Sequence, residues 1–233
     1  MCGRFAQYAD PETLADHFGL ATTAVDAQPR YNVAPTQPVL AVRLTEDQQH
    51  RECVNLRWGL VPFWSKGPDN RYSMINARAE TVASKPAYRA AFAQRRCLIP
   101  ADAFYEWQPG KDGKQPYAIR RKDQAPFAMA GLWEHWEGDD GAVIDSCTII
   151  VTEANALLAA IHDRMPVILA PEDYGNWLGT GRTDRETDKA LLQSLLKPAD
   201  PSGWEVYPVS SRAVNKPAND SPELLEPFAA GAP

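Results

Sequence analysis

A cysteine directly follows Met1, and its position opens a chemistry closed to the other three cysteines of the chain. Removal of Met1, which a small second residue normally permits, gives Cys2 an α-amine and a thiol on adjacent carbons. The amine has a reference pKa of roughly 7.7–8.0, so part of it is a neutral nucleophile near neutral pH. An aldehyde condenses with that amine to an imine, the thiol adds to the imine carbon, and a five-membered thiazolidine closes. Cys53, Cys97 and Cys147 cannot react this way because their nitrogens lie in amides. They stand in apolar stretches and read as small buried hydrophobes. No C-x-x-C pair is present, which argues against a structural zinc site. The competing reading of Cys2 is a silent residue at a buried or frayed terminus.

Other polar groups could serve such a nucleophile, each with a blander alternative. Arg4 could hold an anion beside the N-terminus, or be a surface charge. Asn76, Arg78 and Glu80 alternate in an extended segment and share one face, as a salt-bridged surface or as an orienting amide with a phosphate clamp. Glu106 lies among Phe104, Tyr105 and Trp107, a setting that raises a carboxyl pKa and suits proton transfer. An edge-strand Glu facing solvent is the alternative. His162, followed by Asp163 and Arg164, sits in a constrained turn as a proton donor or a structural histidine. His17, His50 and His135 read as surface residues. Trp64 and the Pro35 loop offer rigid aromatic and proline surfaces of the kind that stack bases beside arginines. Trp58 reads as core.

These groups must be carried by elements. Asp10-Pro11-Glu12 reads as an N-cap and first turn, starting a helix through Phe18. Segments 38–44, 52–58, 96–101, 103–107, 115–121, 126–133, 145–152 and 204–209 read as strands. Segments 85–95, 154–160, 171–178 and 184–196 read as helices. The expected fold class is α+β: one domain over residues 1–227, with a curled, mostly antiparallel sheet or open barrel and peripheral helices. Residues 228–233 read as a frayed tail.

Apolar residues make up 44% and charged residues 23%, ordinary globular usage, and no apolar run is long enough to span a membrane. A cytosolic location is expected, with widely spaced thiols kept reduced. The net charge of −6 disfavours a protein that coats nucleic acid through bulk charge, yet a local basic groove needs few cations. No G-x-S-x-G, P-loop, H-E-x-x-H or strand-following G-x-G-x-x-G occurs, so no cofactor is indicated.

Taken in order, Met1-Cys2-Gly3-Arg4-Phe5, Arg30-Tyr31-Asn32-Val33-Ala34-Pro35, Trp58-Gly59-Leu60-Val61-Pro62, Ile75 to Thr81, Ala101 to Trp107 and Ile161 to Pro166 resemble the SOS-response-associated peptidase (SRAP) family. The resemblance implies a DNA damage response protein that captures abasic sites in single-stranded DNA as a covalent thiazolidine adduct and shields the lesion. It implies Cys2 as nucleophile, Asn76 as orienting amide, Glu106 as proton-transfer group and His162 as the group acting on the sugar or imine. It further implies DNA contacts from Arg4, Arg78, Trp64, Pro35, Thr152 and Arg164. Single turnover at Cys2, possible lyase chemistry and self-cleaving peptidase activity before Cys2 belong to the same expectation. So do a monomer without metal or cofactor and a cytoplasmic protein that joins the nucleoid on DNA. The alternatives are a non-covalent reader of damaged or modified DNA and a thiol peptidase.

Overall fold

Val39-Leu40-Ala41-Val42 and Cys97-Leu98-Ile99 are apolar at consecutive positions, so a strand built from either must be covered on both faces. The computed structural model, which describes residues 2–22, 27–68, 74–111, 113–180 and 189–228, shows how this is done. The strands are β1 (Phe5–Gln7), β2 (Arg30–Val33), β3 (Pro38–Leu44), β4 (Arg51–Trp58), β5 (Asn76–Arg78), β6 (Arg96–Ala101) and β7 (Ala103–Gly110). They continue as β8 (Gly113–Arg121), β9 (Phe127–Glu137), β10 (Val143–Glu153), β11 (Arg164–Pro166), β12 (Ile168–Leu169) and β13 (Trp204–Pro208). The helices are short: α1 (Pro11–Phe18), α2 (Arg89–Gln94), α3 (Tyr174–Leu178), α4 (Lys189–Ser194) and α5 (Ser211–Val214).

Five strands close a ring. β4 pairs with β3, β3 with β6, β6 with β9, β9 with β10, and β10 returns to β4 across the ring's one parallel seam. The curled sheet expected from sequence is therefore a closed barrel, which removes the edges an open one would expose. A second, antiparallel sheet runs in the order β13-β8-β7-β1-β2. One set of barrel side chains, including Val39, Ala41, Cys97 and Ile149, packs with Phe5, Phe104 and Trp204 of the second sheet. The alternate set, including Leu40, Val42, Leu98 and Ile150, packs with Phe18, Phe92, Trp177 and Leu192 from the helices. At Gly131 the barrel wall is tightly packed: a methyl group there would lie 2.9 Å from both Cys97 Sγ and Ile99 Cγ1.

The N-terminal strand is stitched in by two buried polar side chains. Gln7 Nε2 donates to Leu40 O (3.0 Å) and Pro100 O (2.8 Å), and its Oε1 accepts from Leu40 N (3.1 Å). Asp102 Oδ2 accepts from Tyr8 N (2.5 Å) and Ala9 N (3.0 Å). Burial pushes the Asp102 carboxyl up, and these two bonds oppose that push. Helix α1 starts as its sequence requires, with Asp10 accepting from Glu12 N and Thr13 N, and ends at Gly19 in the left-handed region (φ 62°).

Several expected elements differ. The 85–95 helix shrinks to α2, because 79–88 is spent in turns against β5. Residues 154–160 form turns instead of a helix: Asn155 Oδ1 takes the Leu158 N–H, and Ala154 N donates across the loop to Asp163 O. Of 184–196 only 189–194 is helical, and residues 184–188 lie outside the described residues. Cys53 is half-buried rather than core, and His17 is half-buried with Nε2 3.1 Å from the Tyr174 hydroxyl. Phe228 is tied by its N–H to Pro208 O (2.8 Å), whereas 229–233 lie outside the described residues.

Candidate functional site

Fastening β1 fixes the three residues before it. Cys2 is fully buried (0% exposed) within the cluster that joins the barrel to the second sheet. Its carbonyl accepts a hydrogen bond from Asn76 Nδ2 at 2.8 Å. Asn76 is delivered by β5, which runs parallel to β10 with Asn76 opposite Ile149 and Arg78 opposite Val151. Strand alternation then puts Asn76 and Arg78 on one face and buries Ala77 on the other, and Arg78 is exposed. Asn76 Oδ1 is buried with no hydrogen-bond partner, an acceptor left open close to Cys2.

Glu106 reaches the same region from β7. Phe104, Glu106 and Gln108 share a face of that strand, and Phe104 packs in the Cys2 cluster. Glu106 is 2% exposed, and burial pushes its carboxyl up to about 7. Burial likewise pushes the Cys2 thiol far above its usual value, and the Glu106 charge adds to the effect. The two groups therefore sense one another, and the thiol stays protonated near pH 7.

His162 belongs to a loop docked on β7, where Gln108 Nε2 donates to Ala160 O at 2.8 Å. Arg164 N donates to His162 Nδ1 at 3.0 Å, and burial lowers the ring's pKa. A neutral ring accepting at Nδ1 carries its proton on Nε2. The 3.0 Å approach of Asp163 Oδ1 to the same Nδ1 is then a contact, not an ion pair. Asp163 contributes a smaller upward push on Glu106 after burial, which places the His162 loop within electrostatic reach of that carboxyl.

The remaining expected site residues divide. Arg4 Nη1 donates to Asn32 Oδ1 (2.9 Å) and Val214 O (3.0 Å), and its backbone carbonyl accepts from Tyr105 N (3.0 Å). Arg164 is engaged by Glu80. Thr152 is buried, its hydroxyl directed at Leu196 O (3.5 Å), so it presents nothing at the surface. Pro35 is half-buried and starts a turn whose next residue, Thr36, is held at φ 73°, a strained value for a β-branched side chain. Trp64 is 59% exposed and Trp58 fully buried, as their contexts suggest. Trp64, Trp58, Ile75, Tyr88 and Arg57 line a cavity of about 580 Å³. Tyr88 also donates its hydroxyl to Asn76 O (3.3 Å), so the cavity adjoins the residue that holds Cys2.

Sequence reasoning passed over Asn32. It is fully buried, takes Arg4 on its oxygen, and donates through Nδ2 to Val214 O, Lys216 O and Asn219 O. An amide flanked by Tyr31 and Val33 in a strand was the signal. Among the described residues no group of three or more His, Cys, Asp or Glu side chains could hold a metal, and no helix is long and apolar enough to cross a membrane.

Residues 1–217 match the family model described as SOS response associated peptidase (SRAP). The chain is 43% identical to the abasic site processing protein YoqW of Bacillus subtilis, over 97% of this chain and 99% of that one. It is 34% identical to the abasic site processing protein YedK of Escherichia coli, over 97% of this chain and all of that one. A solved structure of a Bacteroides thetaiotaomicron protein matches with a TM-score of 0.84 at 27% identity, covering 98% of this chain and all of its own.

Proposed function

Since the chain belongs to the SOS response associated peptidase family, we propose that it processes abasic sites in DNA, and that it does so by covalent capture through Cys2. The observation that carries this reading is the junction of three elements at one cysteine. Asn76 holds the Cys2 carbonyl, while Glu106 is buried within electrostatic reach of the thiol.

An abasic deoxyribose spends part of its time as a ring-opened aldehyde. Once Met1 is removed, the Cys2 amine adds to that carbon, and loss of the aldehyde oxygen as water gives an imine. The thiol sulfur then bonds to the imine carbon, its proton leaves, and the imine nitrogen takes up a proton to complete the thiazolidine. A carboxyl poised at about 7 is suited to accept the thiol proton and return one to nitrogen. A His162 ring protonated at Nε2 is suited to donate toward the sugar oxygen as the ring opens. Arg78, exposed on the Asn76 face, is the cation available to a flanking phosphate. Base stacking within a duplex hinders access, so a single strand is the expected substrate. Self-cleavage before Cys2 and reversal of the adduct would draw on the same groups.

The complete burial of the thiol favours one rival, a reader that binds the lesion without bonding to it. Incubation with a labelled single-stranded oligonucleotide bearing one abasic site separates them. Covalent capture requires a product stable to denaturing electrophoresis and a mass that reports loss of Met1 and one DNA per protein. Equal product from Cys2→Ala would falsify the assignment.

A further inference from the structure

Phe63 and Trp64 are 54% and 59% exposed, yet the loop that carries them is fastened at every turn. Gly59 N donates to Cys147 O, and Val61 N donates to Ser146 Oγ, each at 2.8 Å. Trp136 Nε1 donates to Ser65 O at 2.8 Å. Gly67, at φ 118°, lies so close to the Trp136 ring that an added methyl group would sit 3.3 Å from it. The Arg95 guanidinium stands 5.8 Å from the Phe63 ring centre and donates to the buried carboxylate of Glu134 at 2.7 Å.

These supports share one surface. Glu134 pairs with Ser146 in the β9–β10 register, and Trp136 follows two residues on, so all three face the same way. A buried carboxylate is costly to the fold unless paired, and here its partner lies under an exposed ring. Exposed aromatics on a loose loop would fold onto apolar surface, whereas these are held out of it, with Trp64 lining the cavity that Tyr88 shares.

We propose that Ser146, Trp136 and the Arg95–Glu134 pair are positioning residues that hold Phe63 and Trp64 as a fixed stacking pair for the bases next to the lesion. The inference rests on the proposed capture of an abasic single strand, and its advantage is that the ordering entropy of the loop is spent on folding instead of on binding.

The test is a double-mutant cycle in the Cys2→Ala background, read by fluorescence anisotropy with an abasic single-stranded oligonucleotide. Trp64→Ala should weaken binding at least about tenfold, the scale of one lost base stack. Trp136→Phe deletes the N–H that holds Ser65 O together with the outer indole edge that faces Gly67, and should weaken binding at least about fivefold, the scale of one hydrogen bond. The double variant should lose less than the sum of the two single losses, because one of the two rings that the support holds is already gone. Ser146→Ala, which frees the Val61 N–H, should repeat this pattern. Unchanged binding in Trp64→Ala, or additive losses in the double variant, overturns the inference. The cycle needs no thiol, so absence of a covalent product from the Cys2 protein would sink the capture reading separately.

Discussion

Replacing Glu106 with Gln removes a carboxyl that burial raises from an ordinary 4.5 to about 7. The folded chain thus holds this proton more tightly than the unfolded chain does. The stabilisation is fully present below pH 4.5 and is lost as pH rises through about 7. At about 1.4 kcal/mol per pH unit the interval corresponds to about 3 kcal/mol. Glutamine keeps the shape and does not titrate, so any constant cost of the amide cancels between two pH values. Urea unfolding of both proteins at pH 4.5, 6 and 8 should show Glu106→Gln gaining on the parent by about 3 kcal/mol across the series. A chemical companion comes from the same experiment run on adduct formation, where the parent's rate should change around pH 7 and the variant should be slow throughout. Stability profiles that stay parallel from pH 4.5 to 8 would refute the buried, proton-holding carboxyl and return Glu106 to a passive place in β7.

Two further substitutions test the frame around Cys2. Asn76→Ala removes the anchor on the Cys2 carbonyl together with an unsatisfied oxygen, so stability should change by no more than about 1 kcal/mol while capture slows at least about tenfold at saturating DNA. An unchanged saturating rate would show that the anchor is not needed. Gly131→Ala drives a methyl group into Cys97 and Ile99 on the barrel wall and should cost about 1–3 kcal/mol in urea unfolding. A loss below a few tenths would mean the barrel yields more easily than its packing implies.

The long strands were legible because their apolar content is local to the sequence. β3, β4, β6 and β9 announce themselves through runs such as Val39 to Val42 and Phe127 to Leu132. The short ones were not. β1, β2, β11 and β12 have two to four residues each and exist because distant strands accept them, as β7 accepts β1. Helices were overread at 154–160, where Asn155 satisfies backbone groups that a helix would have used. At the site, Cys2 was legible from position alone and Glu106 from its aromatic neighbours. Asn32 was hidden, since its four partners lie on Arg4 and on 214–219, and no window of sequence contains both. Thr152 shows the converse: a hydroxyl near the other site residues in the chain's order is buried against Leu196.

The bond from Arg4 to the Val214 carbonyl spans 210 positions, and Asn32 reaches the same stretch from the other side. Cys2 leaves the ribosome among the first residues, but the clasp behind it can form only after residue 214 and its neighbours have emerged. A chain cut short before residue 214 therefore carries Cys2 without the clasp behind it.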